Sequence, residues 1–420
     1  MRSFHRQLIA SLSRILAGPW RFVQLRGTPL EQYVHRNLLP DEGDVDLFGT
    51  ESSVTELLES ISQWCDAGEL HFLVERNGPD KTRLTLFSLD GCHRVQFDLW
   101  VRLRQFVGQS RVLDSSDCIQ LRNQTVAVAR FSLPVEFNLY IHHLKYKRRK
   151  LNSASVQQRL GAFLAQADKG EILDLTDRIQ SILKTGELSD DLLTTSLHEL
   201  RNQLPLHQPE RSAKKLWSRI SWAWHRPPRH HRFVFIAGCD GAGKTSLSQE
   251  LVTRNPQIRT SMTGKHLYRK SLFYKFLVTF VRPLMFSSRE RFDEIMAPVA
   301  YTLASLRLRV SSWIPKSKQT LIDRCLVDFL ITDRKTDTPR LAHCGWLMQW
   351  IGIRYLVVHL RVPEERLRER KVEMTSAGLP RWNKLLYATL MSIGPVRYLG
   401  FFNGGTPGES ATALENILPK

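Results

Sequence analysis

Apolar positions along the chain alternate between a helical period and a strand period. Near the amino end Leu8, Leu12, Ile15 and Leu16 recur at three- and four-residue steps, which predicts an opening amphipathic helix. The same stretch is basic and free of acids, so a transit peptide is the competing reading. Further on, "LTLFSL" (84–89) and "VQFDLWV" (95–101) predict strands, and "PVEFNLYIHHLKYKRRK" (134–150) predicts a helix. Residues 152–204 read as mostly helical, with Leu and Ile at helical steps through "GEILDLTDRIQSILKTG". Later come three short runs, "FVFIA" (233–237), "QTLIDR" (319–324) and "YLVVHLRV" (355–362). They predict buried strands of a parallel sheet, in an α/β fold flanked by helices.

The pattern divides the chain into three parts. An α+β region covers 1–150, a helical segment with a basic linker containing Trp217, Trp222 and Trp224 covers 151–230, and the α/β region covers 231–420. There is no internal repeat and no low-complexity segment.

Composition adds two constraints. A 420-residue chain with 42% hydrophobic and 24% charged residues builds packed cores, which excludes disorder throughout. A net charge of +19 favours an anionic partner: a nucleotide, a nucleic acid, an acidic glycan or an anionic membrane surface. The six cysteines stand singly, without metal-ligand spacing to the histidines, as expected of free thiols in a reducing compartment. No apolar run reaches the ~18 residues a membrane-spanning helix needs; "SLFYKFLVTFVRPLMF" (271–286) is broken by Lys275, Arg282 and Pro283.

The chemistry is concentrated in "GCDGAGKTSL", directly after the run 233–237. Small residues let successive backbone N–H groups face one phosphate chain. A lysine reaches the β/γ-phosphates, and a hydroxyl ligates Mg²⁺. Gly238, Gly241 and Gly243 meet the first need, Lys244 the second and Thr245 the third. The following "TSLSQELVTR" has helical spacing, so a helix N-terminus adds its positive end to the site. A second strand ends in Asp323–Arg324, where open α/β sheets bind ligands. There Asp323 can hold Mg²⁺ or accept a hydroxyl proton, and Arg324 can clamp a phosphoryl oxygen. After the third strand, Arg366, Arg368, Arg370 and Lys371 form either a cationic lid or a solvated helix face.

Taken together, "FVFIAGCDGAGKTSL", "LIDR" and "VVHLRVPEERLRER" resemble the thymidylate kinase-like P-loop kinases over about residues 231–420. The resemblance implies a parallel sheet flanked by helices and transfer of the ATP γ-phosphoryl group with Mg²⁺. It implies a nucleotide site at Gly238, Asp240, Gly241, Ala242, Gly243, Lys244, Thr245 and Ser246. Asp240 would face the acceptor, Thr245 and Asp323 would serve the metal, and Lys244, Asp323, Arg324, Arg368 and Arg370 would act on the phosphates and acceptor. Two departures count against thymidylate as acceptor. The family's Arg-Glu-Pro segment is absent from "SMTGKHLYRKSLFYKF", and Arg361 stands where a strand-ending carboxylate is usual.

Upstream, "DEGDVDLFG" places Asp44 and Asp46 on one face of an extended chain, and Asp98 lies inside an apolar strand. Three carboxylates converging from neighbouring strands could hold a second Mg²⁺ site. The arrangement partly resembles the polymerase-β-type nucleotidyltransferase fold over about 20–150, without its Gly-Ser pair directly before the aspartates. Turn aspartates with no metal are the plain alternative. Joined, the two resemblances are similar to two-domain proteins of bacterial surface polysaccharide synthesis.

The expected function is therefore an ATP- and Mg²⁺-dependent kinase of a sugar, glycolipid or related hydroxyl acceptor. A nucleoside monophosphate kinase and a non-catalytic ATP-binding adaptor at the membrane are the alternatives. The expected location is cytoplasmic, with peripheral contact to an anionic membrane left open. Nucleic acid is disfavoured, because no recognised reading module is present.

Overall fold

The structure is a computed structural model of the 420-residue chain. It describes residues 2–25, 29–39, 44–78, 80–103, 112–115, 127–204, 206–207, 233–239, 241–261, 275–285, 319–323, 356–363, 365–367, 378–392 and 396–418. Packing divides the chain into two compact units. One holds Met1–Leu8, Glu59–Gln96 and Leu216–Lys420; the other holds Ile9–Leu58 and Phe97–Lys215. The 59–96 segment, expected within the first part of the chain, packs with the glycine-loop half.

The second unit opens with most of helix α1 (Arg2–Ala17), whose Leu12 and Ile15 are buried as their spacing predicts, as is Leu8 in the first-unit part of the helix. Strand β1 (Phe22–Gln24) is followed by the short helix α2 (Leu30–His35) and strand β2 (Asp44–Gly49). β1 pairs antiparallel with β2, Phe22 opposite Gly49, and parallel with β8 (Val128–Arg130), Phe22 opposite Val128.

A small antiparallel sheet joins β6 (Arg102–Leu103), β7 (Val112–Asp114) and β9 (Leu206–His207) in the order β6-β7-β9. Helix α4 (Leu133–Tyr146) matches the helix expected over 134–150, and α5 (Ala154–Lys169), α6 (Leu173–Thr185) and α7 (Asp190–Gln203) fill the expected helical region 152–204. Their core runs from Phe137 and Ile141 through Leu160 to Ile179 and Leu193. Arg178 of α6 and Asn138 of α4 both donate to Glu199 of α7, which fastens these helices at a polar point. Helix α3 (Glu51–Asp66) and strand β5 (Arg94–Trp100) are each shared between the two units.

In the first unit the sheet order is β11 (Ile258–Ser261), β12 (Gln319–Asp323), β10 (Phe233–Ala237), β13 (Leu356–Arg361), β14 (Val396–Phe402), β3 (His71–Gly78), β4 (Lys81–Phe87). The first five are parallel; β14–β3 and β3–β4 are antiparallel. Within the parallel part β10 lies centrally. The chain leaves it for β11 on one side and later crosses to β13 on the other, so the switch in direction falls at the carboxyl end of β10.

Strand alternation decides the two faces. Val234, Ile236, Leu356, Val358, Leu360, Leu399 and Phe401 pack with Leu247, Leu251, Ala411 and Leu414 in one core. The last four lie on α8 (Lys244–Arg254) and α10 (Pro407–Ile417). His359, Arg361 and Tyr398 take the opposite face, which meets α9 (Gly378–Ser392) and the end of α3. Burying side chains such as Leu247 and Val358 contributes roughly 1.5–3 kcal/mol each, so the α8 face is mainly an apolar seam. Thr406 and Glu409 form a complete capping box at the start of α10. No helix among the described residues is long and apolar enough to cross a membrane.

Candidate functional site

The glycine loop joins the end of β10 to the start of α8, as expected. Gly241 and Gly243 have φ of +90° and +84°, a region that side-chain-bearing residues rarely adopt. Gly243 is the N-cap of α8, and no side chain caps it. The first-turn N–H groups of α8 therefore face the loop with the positive end of the helix dipole. Thr245 and Ser246 are exposed at that end, whereas Ala242 is fully buried beneath the loop. Asp240 lies outside the described residues.

Lys244 is 7% exposed, and its ammonium donates to Gly238 O and Cys239 O, both at 2.8 Å. The loop is thus drawn around its own cation. Receiving phosphate at this point means exchanging one or both carbonyls for phosphate oxygens. On the far side of the loop, Asn403 Nδ2 donates to Ala242 O at 2.7 Å, and its own backbone N–H donates to Arg361 O at 2.7 Å.

Asp323 ends β12, with Ile236 of β10 as its register partner. This places it one residue pair before the loop, at the carboxyl edge of the sheet. Among the described residues its buried Oδ1 takes no hydrogen bond, and the buried hydroxyl of Ser248 on α8 likewise has no partner. A buried carboxylate oxygen without a donor is unfavourable unless something polar or cationic meets it. Mg²⁺ accepts one or two carboxylates and completes its shell with water and phosphate, so this donor set fits that ion. Arg324, Arg368 and Arg370 lie outside the described residues, as does Lys371.

Behind the loop, on the opposite face of the sheet, is a polar network the sequence pattern does not announce. Arg361 is 1% exposed and donates to Asp66 Oδ2 at 2.6 Å, Ser62 O at 3.1 Å and the Tyr398 hydroxyl at 2.8 and 3.3 Å. With two guanidinium donors on its oxygen, Tyr398 turns its single hydrogen to His359 Nδ1 at 2.7 Å. His359 Nε2 then donates to Asn383 Oδ1 at 3.0 Å. Burial, reinforced by the charges of Arg361 and Lys244, holds the His359 pKa well below the usual imidazole range. His359 is therefore a neutral relay of hydrogen bonds, and Arg361 is fully engaged with its neighbours.

The upstream aspartates do not gather. Among the described residues no group of three His, Cys, Asp or Glu side chains is placed to hold a metal ion. Asp46 is buried and accepts from Trp100 Nε1 at 2.9 Å, Asp98 is buried, and Asp44 is exposed. The second Mg²⁺ site expected at Asp44, Asp46 and Asp98 is therefore not found among the described residues; one Asp46 oxygen is taken by the indole, and Asp44 is exposed where Asp46 is buried. The basic linker with Trp217, Trp222 and Trp224 lies outside the described residues.

Comparison with known proteins adds little. No family model matches the chain, and no curated protein does. Among solved structures, thymidylate kinase from Candida albicans is similar at a TM-score of 0.30 and 17% identity, covering 45% of this chain and 91% of that one. Shikimate kinase from Acinetobacter baumannii, solved with shikimate, is similar at 0.25 and 16%, covering 47% and 94%. Both likenesses are too low to carry a substrate or a reaction over to this chain.

Proposed function

We propose that the chain is an ATP- and Mg²⁺-dependent phosphotransferase acting on a sugar, a glycolipid or a related hydroxyl acceptor, in the synthesis of a surface polysaccharide. The observation that carries the reading is the buried Oδ1 of Asp323, without a partner among the described residues, at the carboxyl end of the strand beside the glycine loop. Loop and carboxylate together are a donor set for a nucleotide phosphate chain and its metal. In this reading Lys244 leaves the loop carbonyls for the β/γ-phosphates, and Gly238, Gly241, Ala242, Gly243 and Ser246 cradle them. Thr245 and Asp323 hold Mg²⁺. A bound Mg²⁺ neutralises charge on the transferring phosphoryl group and fixes its orientation.

The alternative role for Asp323 is to accept the acceptor hydroxyl proton in place of holding the metal. By the resemblance, Arg324, Arg368 and Arg370 would act on the phosphates and acceptor and Asp240 would face the acceptor; all four lie outside the described residues. Two features argue for an acceptor other than a standard nucleotide. The Arg-Glu-Pro segment is absent, and Arg361, at the strand end where a carboxylate is usual, is committed to Asp66 and Tyr398. The net charge of +19 suits an acidic or lipid-linked glycan held at an anionic membrane face.

The test is transfer from γ-³²P-ATP with Mg²⁺ to separate pools of nucleoside monophosphates, soluble sugars and extracted lipids, with Lys244→Ala alongside. Lysine-dependent label on a sugar or lipid is expected. Label on thymidylate or another nucleotide would replace the acceptor class and restore the nucleotide-kinase reading. ATP binding with no pool labelled would favour the adaptor.

A further inference from the structure

We propose that Asn403, which lies outside every recognised element of the loop motif, is the residue that presets the phosphate cradle. The inference rests on the nucleotide-binding reading above and names a positioning residue for it. An anion cradle made of backbone works only if the loop carbonyls are turned away from the anion, so that the amides face it. Three loop carbonyls are accounted for in the structure. Gly238 O and Cys239 O are held by Lys244, and Cys239 O also accepts from Ala242 N at 3.2 Å. Ala242 O is held by Asn403 Nδ2 at 2.7 Å.

The third is decisive for the geometry. The Ala242–Gly243 peptide is trans, so its C=O and N–H point to opposite sides of one rigid plane. Fixing Ala242 O inward, on a side chain 5% exposed, directs Gly243 N–H outward to the phosphate side. That N–H takes no partner among the described residues. With glycine on the C-terminal side of the plane and φ already at +84°, little in the loop itself opposes rotation of this peptide. A flip would present a carbonyl to phosphate in place of an amide.

Asn403 is in turn anchored through its backbone. Its backbone N–H extends the β13–β14 ladder to Arg361 O, and Arg361 is anchored to Asp66 and Ser62 at the end of α3. Orientation of the cradle is thereby set by the end of β14 and, behind it, by a helix from the amino-terminal part of the chain.

The experiment measures binding of Mg·ATP and of inorganic tripolyphosphate to the full chain by titration calorimetry, for wild type, Asn403→Ala and Asn403→Asp. Thermal unfolding without ligand monitors folding. Asn403→Ala is expected to weaken both probes about tenfold, with tripolyphosphate affected as much as ATP because the defect lies under the phosphates. In Asn403→Asp a carboxylate faces Ala242 O and repels it, whereas a protonated carboxyl can donate to it. The loss relative to wild type is therefore expected to be larger at pH 8 than at pH 5, a dependence that packing alone would not produce.

Should Asn403→Ala unfold, the pH dependence of Asn403→Asp decides the matter. Wild type binding both probes while Asn403→Ala binds them within twofold of it would overturn the role of Asn403 and leave the nucleotide site standing. Wild type binding neither probe would remove the nucleotide reading, and this role with it.

Discussion

Removing the Arg361 guanidinium should destabilise the glycine-loop unit more than any other single polar change in it. Arg361 is 1% exposed and its partner Asp66 is 43% exposed, so the two ends of the pair have very different access to water. In Arg361→Met the aliphatic stem is kept, but Tyr398 O and Ser62 O lose buried donors and Asp66 loses its cation. Truncating one partner of a buried pair costs about 3–5 kcal/mol. For a unit of this size that lowers the unfolding midpoint by roughly 2–4 °C per kcal/mol.

Asp66→Asn keeps an acceptor for the guanidinium and lies where water can enter, so about 1–2 kcal/mol is expected. The double variant should fall close to Arg361→Met alone, because most of what Asp66 contributes runs through Arg361. The assay is urea unfolding monitored by hydrogen exchange in peptides from β13 and β14, which reports this unit and not the other. A loss below ~1 kcal/mol in Arg361→Met, or strict additivity with Asp66→Asn, would refute the reasoning. Either result would mean the network is a solvated decoration on a sheet held by its apolar face.

Two further outcomes concern the same sheet. His71 is buried, accepts from Phe402 N–H through Nδ1, lies against Phe401 at 4.2 Å, and burial lowers its pKa to about 4. The unfolded chain binds this proton near pH 6.5 and the folded chain near 4, so stability is complete above pH 6.5 and declines as pH falls between those values. At pH 5 the loss from this group is about 2 kcal/mol; a His71→Asn variant whose stability falls just as steeply from pH 7 to 5 would contradict this. Gly400 of β14 leaves no room beside Phe72 of β3, since a Cβ there would stand 2.2 Å from the ring. Gly400→Ala should cost about 1–3 kcal/mol at an unchanged denaturant slope, with part of the loss recovered by Phe72→Leu; an unaltered midpoint would show that the β14–β3 seam is looser than it is drawn.

What the sequence revealed and what it hid follow from the reach of each interaction. The glycine loop was legible because its requirements are local: small residues, a lysine and a hydroxyl within eight positions, set between a strand and a helix. Asp323 was legible because a carboxylate ending an apolar strand is itself a local signal. Arg361 was visible as an oddity, but its meaning depends on Asp66, 295 positions earlier, which no periodicity can connect. For the same reason the hairpin β3–β4 reads as part of the amino-terminal region and yet extends the carboxy-terminal sheet. Gly400 carried a usable hint, since a glycine within an aromatic strand marks close approach of another chain segment.

The aspartates present the opposite case. Alternation correctly put Asp44 and Asp46 two apart on an extended chain, but whether they converge on an ion depends on Trp100, 54 positions from Asp46. Asn403 combines both lessons. A polar residue directly after a strand, at the carboxyl edge of an open α/β sheet, is a local signal of a site. Its use is fixed only by the loop it reaches, 161 positions earlier. A motif therefore states which backbone could bind phosphate, while distant residues that hold its carbonyls determine which way that backbone faces. On that argument chains bearing the same glycine–lysine pattern can differ in phosphate affinity without any change in the pattern itself.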